Sequence, residues 1–147
     1  MTKIGTVFTF AAPSGWSEFR EGSRYVFHGP NREELIMSAF LIQGGGTSAS
    51  PLELQQRLFR NAEGAARAAA SHSALKVTHP FMRKPVRSGL ECWMLRAETH
   101  EGDTLFHQAV VQDPRGVLLA SFEAPNTLHS VQTFEQVVES LGVASEP

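Results

Sequence analysis

The side chains best able to do chemistry in this chain are six histidines (His28, His72, His79, His100, His107 and His129), the single cysteine Cys92 and a scatter of carboxylates. None of the histidines forms an H-x-x-x-H or H-E-x-x-H pair with helical ligand spacing. Zinc needs three or four converging ligands, and no stretch offers more than two. The pair best suited to acid–base chemistry is His107 and Glu123. Set opposite each other across a hairpin, a carboxylate beside an imidazole would tune a general base, and the bland alternative is a cross-strand ion pair. Cys92 opens a strand beside Trp93 and reads as a small buried hydrophobe, not a nucleophile. Gly44-Gly45-Gly46-Thr47-Ser48 lies between an apolar strand and a helix, as a phosphate loop does. It lacks the Walker lysine and spacing, so it reads as a connection. The basic stretch Arg83-Lys84-Pro85-Val86-Arg87 has no interleaved aromatics and reads as a solvated sheet edge, not a nucleic-acid groove. No cofactor and no metal are expected.

The chain around these residues has 147 positions, which suits one domain. Hydrophobic residues make up 41% and charged residues 19%, enough apolar material for an ordinary core. Thirteen basic and fifteen acidic residues leave a net charge of -2, too weak a field to recruit nucleic acid or an anionic membrane. A lone thiol excludes an intramolecular disulfide and any zinc site built from several cysteines. The first ten residues lack the basic and apolar regions of a signal peptide, and no apolar run approaches the ~20 residues that span a bilayer. These features predict a cytoplasmic protein without direct membrane insertion.

Alternation predicts strands at 7–11, 24–28, 35–43, 75–83, 90–99, 104–112 and 117–124. The clearest local signal is Ser50-Pro51-Leu52-Glu53, a capping box with proline at the first helical position. It opens a helix to about Ala70, with Leu54, Leu58, Ala62, Ala65 and Ala69 on the expected buried face. A second helix carries Leu128, Val131, Phe134, Val138 and Leu141, with Gly142 at C′ and the last five residues fraying. Asp113-Pro114-Arg115-Gly116 fits a type I turn with an αL glycine. That pairs Asp113 with Val117, Val111 with Leu119, Ala109 with Ser121 and His107 with Glu123. The register of the hairpin at 100–103 stays open. The fold class is α+β: a largely antiparallel sheet of six or seven strands packed with two main helices. In the last hairpin both faces are apolar. Val111, Val117 and Leu119 fall on one, and Phe106, Val110, Leu118, Ala120 and Phe122 on the other. Either the helices cover both faces, or one face is kept for a partner.

The marker residues Pro13-x-Gly15-Trp16, the Leu105-x-x-Gln108 stretch and the Ala124-Pro125 break, in this order of elements, resemble the DcrB-like branch of the PsbP-like fold. In bacteria that branch includes effector-associated chaperones of type VI secretion. The similarity spans nearly the whole chain as a set of weak markers. The resemblance implies a small dimer that shields apolar helices of secreted effectors. It implies partner contacts at Tyr25, Phe27, Met37, Ala39, Gln108 and Val110, and no catalytic residues. The alanine-rich, arginine-bearing central helix departs from that branch.

Three functions compete. A non-enzymatic adaptor would hold a partner's apolar helix in a groove between sheet and helix. An immunity protein would meet a toxin through exposed charges such as Glu98, Glu101 and Asp103. A small-molecule binder would need a pocket with converging polar groups.

Overall fold

The computed structural model of the protein describes residues 1–42 and 50–144. In chain order these form β1 (Thr2–Ile4), β2 (Phe8–Phe10), β3 (Ser17–Glu21), β4 (Arg24–His28), β5 (Glu34–Leu41), α1 (Pro51–Ala70), β6 (Leu75–Lys84), β7 (Glu91–Thr99), β8 (Thr104–Asp113), β9 (Gly116–Pro125), α2 (Leu128–Glu139) and β10 (Gly142–Val143). Strands β3 to β9 make one seven-stranded antiparallel sheet, ordered β3-β4-β5-β9-β8-β7-β6. A second, three-stranded sheet has the order β1-β2-β10. The fold is the α+β arrangement that the alternation predicts. The reading of Gly44–Ser48 as a connection falls outside the described residues.

The large sheet has two faces, set by residue parity. On one, which we call the α2 face, lie Tyr25, Phe27, Leu35, Met37, Ala109, Val111, Leu118, Ala120 and Phe122. Phe8, Phe10 and Ile4 of the small sheet and Phe134, Val137 and Val138 of α2 close over them. Phe134 stacks on Phe122 at 5.2 Å between ring centroids, and Phe10 meets Phe27 edge-on at 5.0 Å. On the opposite α1 face, Val110, Val117, Leu95 and Ala97 pack beneath α1.

Several expectations change. The strand predicted at 7–11 belongs to the small sheet. The two helices therefore do not bury the large sheet alone; the N-terminal strands share that work with α2. The fraying expected of the last five residues does not apply to Val143 and Ala144, and residues 145–147 lie outside the described residues. Ser140 caps α2, Gly142 and Val143 pair with β2, and the Ala144 N–H donates to the Val7 carbonyl at 2.6 Å. Leu128, expected in the buried stripe of α2, is 71% exposed. Edge strand β3 was not predicted at all.

The β8–β9 register differs by one residue. Asp113 pairs with Gly116 across a two-residue loop, so Val111 faces Leu118, Ala109 faces Ala120 and His107 faces Phe122. A one-residue slip exchanges the faces of one whole strand relative to the other. Val111 therefore shares a face with Leu118, Ala120 and Phe122, while Phe106 and Val110 join Val117 and Leu119. The reason lies in the neighbouring strand. Gly116 does not adopt positive φ; instead a Cβ there would come within 2.6 Å of the Phe40 carbonyl oxygen. Glycine is required by close packing against β5, not by an αL bulge.

Ser50 caps α1 as expected, its Oγ accepting from the Glu53 N–H at 3.2 Å. The buried stripe, however, runs through Ala62, Ala66 and Ala70, and Ala65 and Ala69 are exposed. Alanines on every side of the second half leave the helix rotation undetermined locally. Phe59 determines it by packing against Phe81 and Trp93, at 6.5 and 6.2 Å.

Candidate functional site

The α1 face carries one continuous cross-strand row: Phe19, Val26, Ile36, Ser121, Gln108 and Leu95 are successive register partners from β3 to β7. α1 rests on the β6-to-β9 side of this row. β3, β4 and β5 carry no helix on this face among the described residues. Three strands at ~4.8 Å spacing make a strip about 14 Å wide, and a helix with its side chains is about 10–12 Å across. The strip is mixed: Phe19, Ile36 and Phe40 reach its surface among the polar Ser17, Glu21, Arg24, His28, Glu34 and Ser38 of the same face. Phe19 is 44% exposed and Phe40 41% exposed, with Ile36 half-buried between them.

Between this strip and α1 runs a trough. Its larger part, about 480 Å³, is walled by Ala69 and Ala70 and floored by Ile36, Phe106, Gln108 and Ser121. A smaller part of about 120 Å³ lies farther back along α1, between Ala62 and Ala65 on one side and Phe40 and Leu119 on the other. Ala62, Ala65 and Ala69 are one flank of the same helix, so both depressions follow α1. Their small side chains would let another helix come close, as small residues do wherever helices pack tightly.

The polar residues lining the larger part of the trough are Glu34, His72, Thr99, Gln108, Ser121 and Glu123. Gln108 is 7% exposed, and its Oε1 accepts from the Ser121 hydroxyl at 2.7 Å. Its amide NH₂ has no partner among the described residues. A carboxamide held this way can still donate to an unpaired backbone carbonyl. At the end of the trough near the C-terminus of α1, Glu34 and Glu123 face each other across β5 and β9. Burial, and then the Glu34 charge, push the Glu123 carboxyl above its ordinary value. Glu34 accepts from or pairs with His28 Nε2 at 3.1 Å. This end favours a cationic group.

The six residues implied by the resemblance do not form one surface. Tyr25, Phe27 and Met37 are buried on the α2 face under the small sheet, with Ala39 half-buried beside them. The Tyr25 hydroxyl accepts from the Gly5 N–H at 3.0 Å, which ties it to the small sheet. Val110 lies under α1, and Gln108 alone of the six lines the trough. The apolar residues at the strip's surface, exposed Phe19 and Phe40 and half-buried Ile36, were missed. Ile36 and Phe40 alternate with Leu35, Met37 and Leu41 in a run apolar at both parities, and this two-sidedness was the signal that could have found them.

The predicted His107–Glu123 pair does not exist. His107 lies on the α2 face, 3% exposed and stacked on Phe134 at 4.6 Å, whereas Glu123 pairs with Phe106 on the other face. Burial, with Arg96, His79 and Lys84 adding to it, pushes the His107 imidazole down to about 3. Cys92 is buried, and burial pushes its thiol up to about 12, so it is no nucleophile. Among the described residues, no three His, Cys, Asp or Glu side chains converge as a metal site requires. No described helix is long and apolar enough to cross a membrane.

At the hairpin tip, Glu98 accepts from the Asn126 side-chain amide at 3.0 Å, and Asp103 accepts from the Thr99 hydroxyl at 2.6 Å. The Thr99 bond comes first among the causes that hold the Asp103 carboxyl below its usual value. Glu98 also lies 3.8 Å from the Lys76 ammonium, while Glu101 and Asp103 are exposed.

No protein-family model and no curated protein matches the sequence. Solved structures do resemble the fold. A Bacteroides thetaiotaomicron protein matches with a TM-score of 0.56 at 17% identity over 95% of this chain, which spans 46% of that protein's length. LpqN of Mycobacterium tuberculosis, described as involved in cell envelope biogenesis, matches with a TM-score of 0.55 at 13% identity, over 94% of this chain and 83% of its own. The PsbP protein of the cyanobacterium Synechocystis (CyanoP) matches with a TM-score of 0.55 at 15% identity, over 98% of this chain and 91% of its own. At these identities the likeness concerns the fold, which is PsbP-like.

Proposed function

We propose that this protein is a non-enzymatic adaptor that holds an apolar helix of a partner protein beside α1, on the α1 face of β3, β4 and β5. The observation that carries this reading is the width of the strip. Among the described residues its three strands carry no covering helix, and the space suits one helix. Helix-in-groove binding of this kind uses apolar anchors at i, i+3, i+4 and i+7. Phe19, Ile36 and Phe40 would meet those anchors, and Gln108 would meet a backbone group of the partner. The acidic end at Glu34 and Glu123 favours a basic residue at one end of the bound helix. The resemblance to the DcrB-like branch makes secreted type VI effectors the partner class of choice. A cytoplasmic place of action and a homodimer belong to the same reading.

A synthetic helix of about 20 leucine and alanine residues, roughly 30 Å long, with lysines at one end, is the probe. Titrated into ¹⁵N-labelled protein, it should shift the amides of Phe19, Ile36, Phe40 and Ala69 and leave those of Met82 and Leu128 in place. Shifts spread evenly over all exposed apolar residues, or no shifts, would remove the reading.

A further inference from the structure

We propose that a separate pocket on the α2 face, between β6, β7 and α2, binds a small oxyanion through Arg96, Lys84 and His107. The pocket has a volume of about 180 Å³ and is lined by these three residues together with His79, Glu135 and two methionines, among others. Its placement follows from register. Arg96 stands directly opposite His107 on β8 and opposite His79 on β6, while Lys84 lies along β6 opposite Cys92.

The polar groups here lack the partners that buried groups normally have. Arg96 Nε and both ring nitrogens of His107 are buried with no hydrogen-bond partner among the described residues. The large majority of buried side-chain polar atoms in native proteins are paired, so three orphans on facing residues call for an explanation. The Arg96 guanidinium reaches only another nitrogen, with Nη2 3.4 Å from His79 Nε2. Neither Arg96 nor Lys84 has a carboxylate within ion-pair distance among the described residues. The groups whose charge is felt at the His107 ring are Arg96, His79 and Lys84, all basic. Among the described residues, Glu135 of α2 is the one acid lining the pocket.

An oxyanion resolves these conflicts together. Its oxygens accept from the guanidinium and from an imidazole N–H, and its charge offsets the cations around them. The volume lies below the ~300–1,000 Å³ of pockets that enclose whole cofactors. The ligand is therefore a phosphate or carboxylate group, free or terminal, and not an entire nucleotide.

The experiment follows the ring nitrogens of His107 by ¹⁵N NMR. Inorganic phosphate and, separately, acetate are added at constant ionic strength maintained with chloride. Saturable shifts at His107 and at the Arg96 Nε–H are expected with at least one of the two ions, and the responding ion identifies the oxyanion. The bound ion should also raise the pH at which His107 titrates above its position near 3. Arg96→Gln should weaken binding about tenfold or more. Lys84→Gln, on an edge strand, provides the same test if Arg96→Gln does not fold. Unsaturable or absent shifts with both ions, or unchanged affinity in the folded variants, would overturn the proposal.

Discussion

Ala69→Trp is expected to weaken binding of the leucine–alanine helix by at least about thirtyfold, some 2 kcal/mol, which is the scale of an interface hot spot. Ala69 is exposed on α1 and forms the wall of the larger depression. An indole there occupies the space the partner helix must enter. The fold should tolerate it, because the side chain points away from the buried stripe of Ala62, Ala66 and Ala70. The propensity cost of tryptophan against alanine at a helical position is at most about 0.7 kcal/mol. Phe40→Ser should act in the same direction by removing an anchor, whereas Met82→Ser, at a residue 60% exposed on a distant strand, should change nothing. Fluorescence titration with a labelled helix reads all three. Equal affinities for Ala69→Trp and the unaltered protein would argue that the trough is not the binding site.

The second large effect is an acid lability centred on His107. In the folded protein its imidazole is buried and titrates near 3, whereas in the unfolded chain it returns to about 6.5. Between these two values the unfolded state holds more protons than the folded one. Stability therefore falls as pH is lowered from about 6.5 toward about 3, by up to about 1.4 kcal/mol per pH unit. Above about 6.5 the contribution is fully present. His107→Phe keeps an aromatic ring against Phe122 and Phe134 but cannot take a proton. Its stability should fall less steeply with acid than that of the unaltered protein, the carboxylates being common to both. Urea unfolding midpoints between about pH 7 and pH 4, in chloride buffers free of phosphate and carboxylate, measure the difference. Parallel slopes would place the imidazole in a wetter setting than the one described.

Local chemistry carried much of this architecture. The Ser50 cap, the proline at N1 and the alternation of β4, β7, β8 and β9 all depend on near neighbours, and they were readable without tertiary context. The errors arose where distant residues decide. Asp113-Pro114-Arg115-Gly116 suits either a two- or a three-residue loop, and only the approach of the Phe40 carbonyl to Gly116 separates them. That single slip produced the false His107–Glu123 pair and mixed the two faces of the last hairpin. Ser17–Glu21 has one apolar residue in five and becomes a strand only because β4 offers it an edge. The rotation of α1 depends on Phe59 finding Phe81 and Trp93. The trough inherits all of these choices, so its wall and floor could not be read from spacing, although the doubly apolar run of β5 marked one of its strands.

The most direct measurement is site-specific photo-crosslinking in cells, with a photoreactive phenylalanine analogue placed in turn at Phe19, Phe40 and Met82. Adducts from Phe19 and Phe40 should map by peptide mass spectrometry to one apolar helical segment of a single partner, and Met82 should yield none. Adducts that map to polar loops, or that form as readily from Met82, would mean that the uncovered strip is ordinary surface and that no partner helix lies on it.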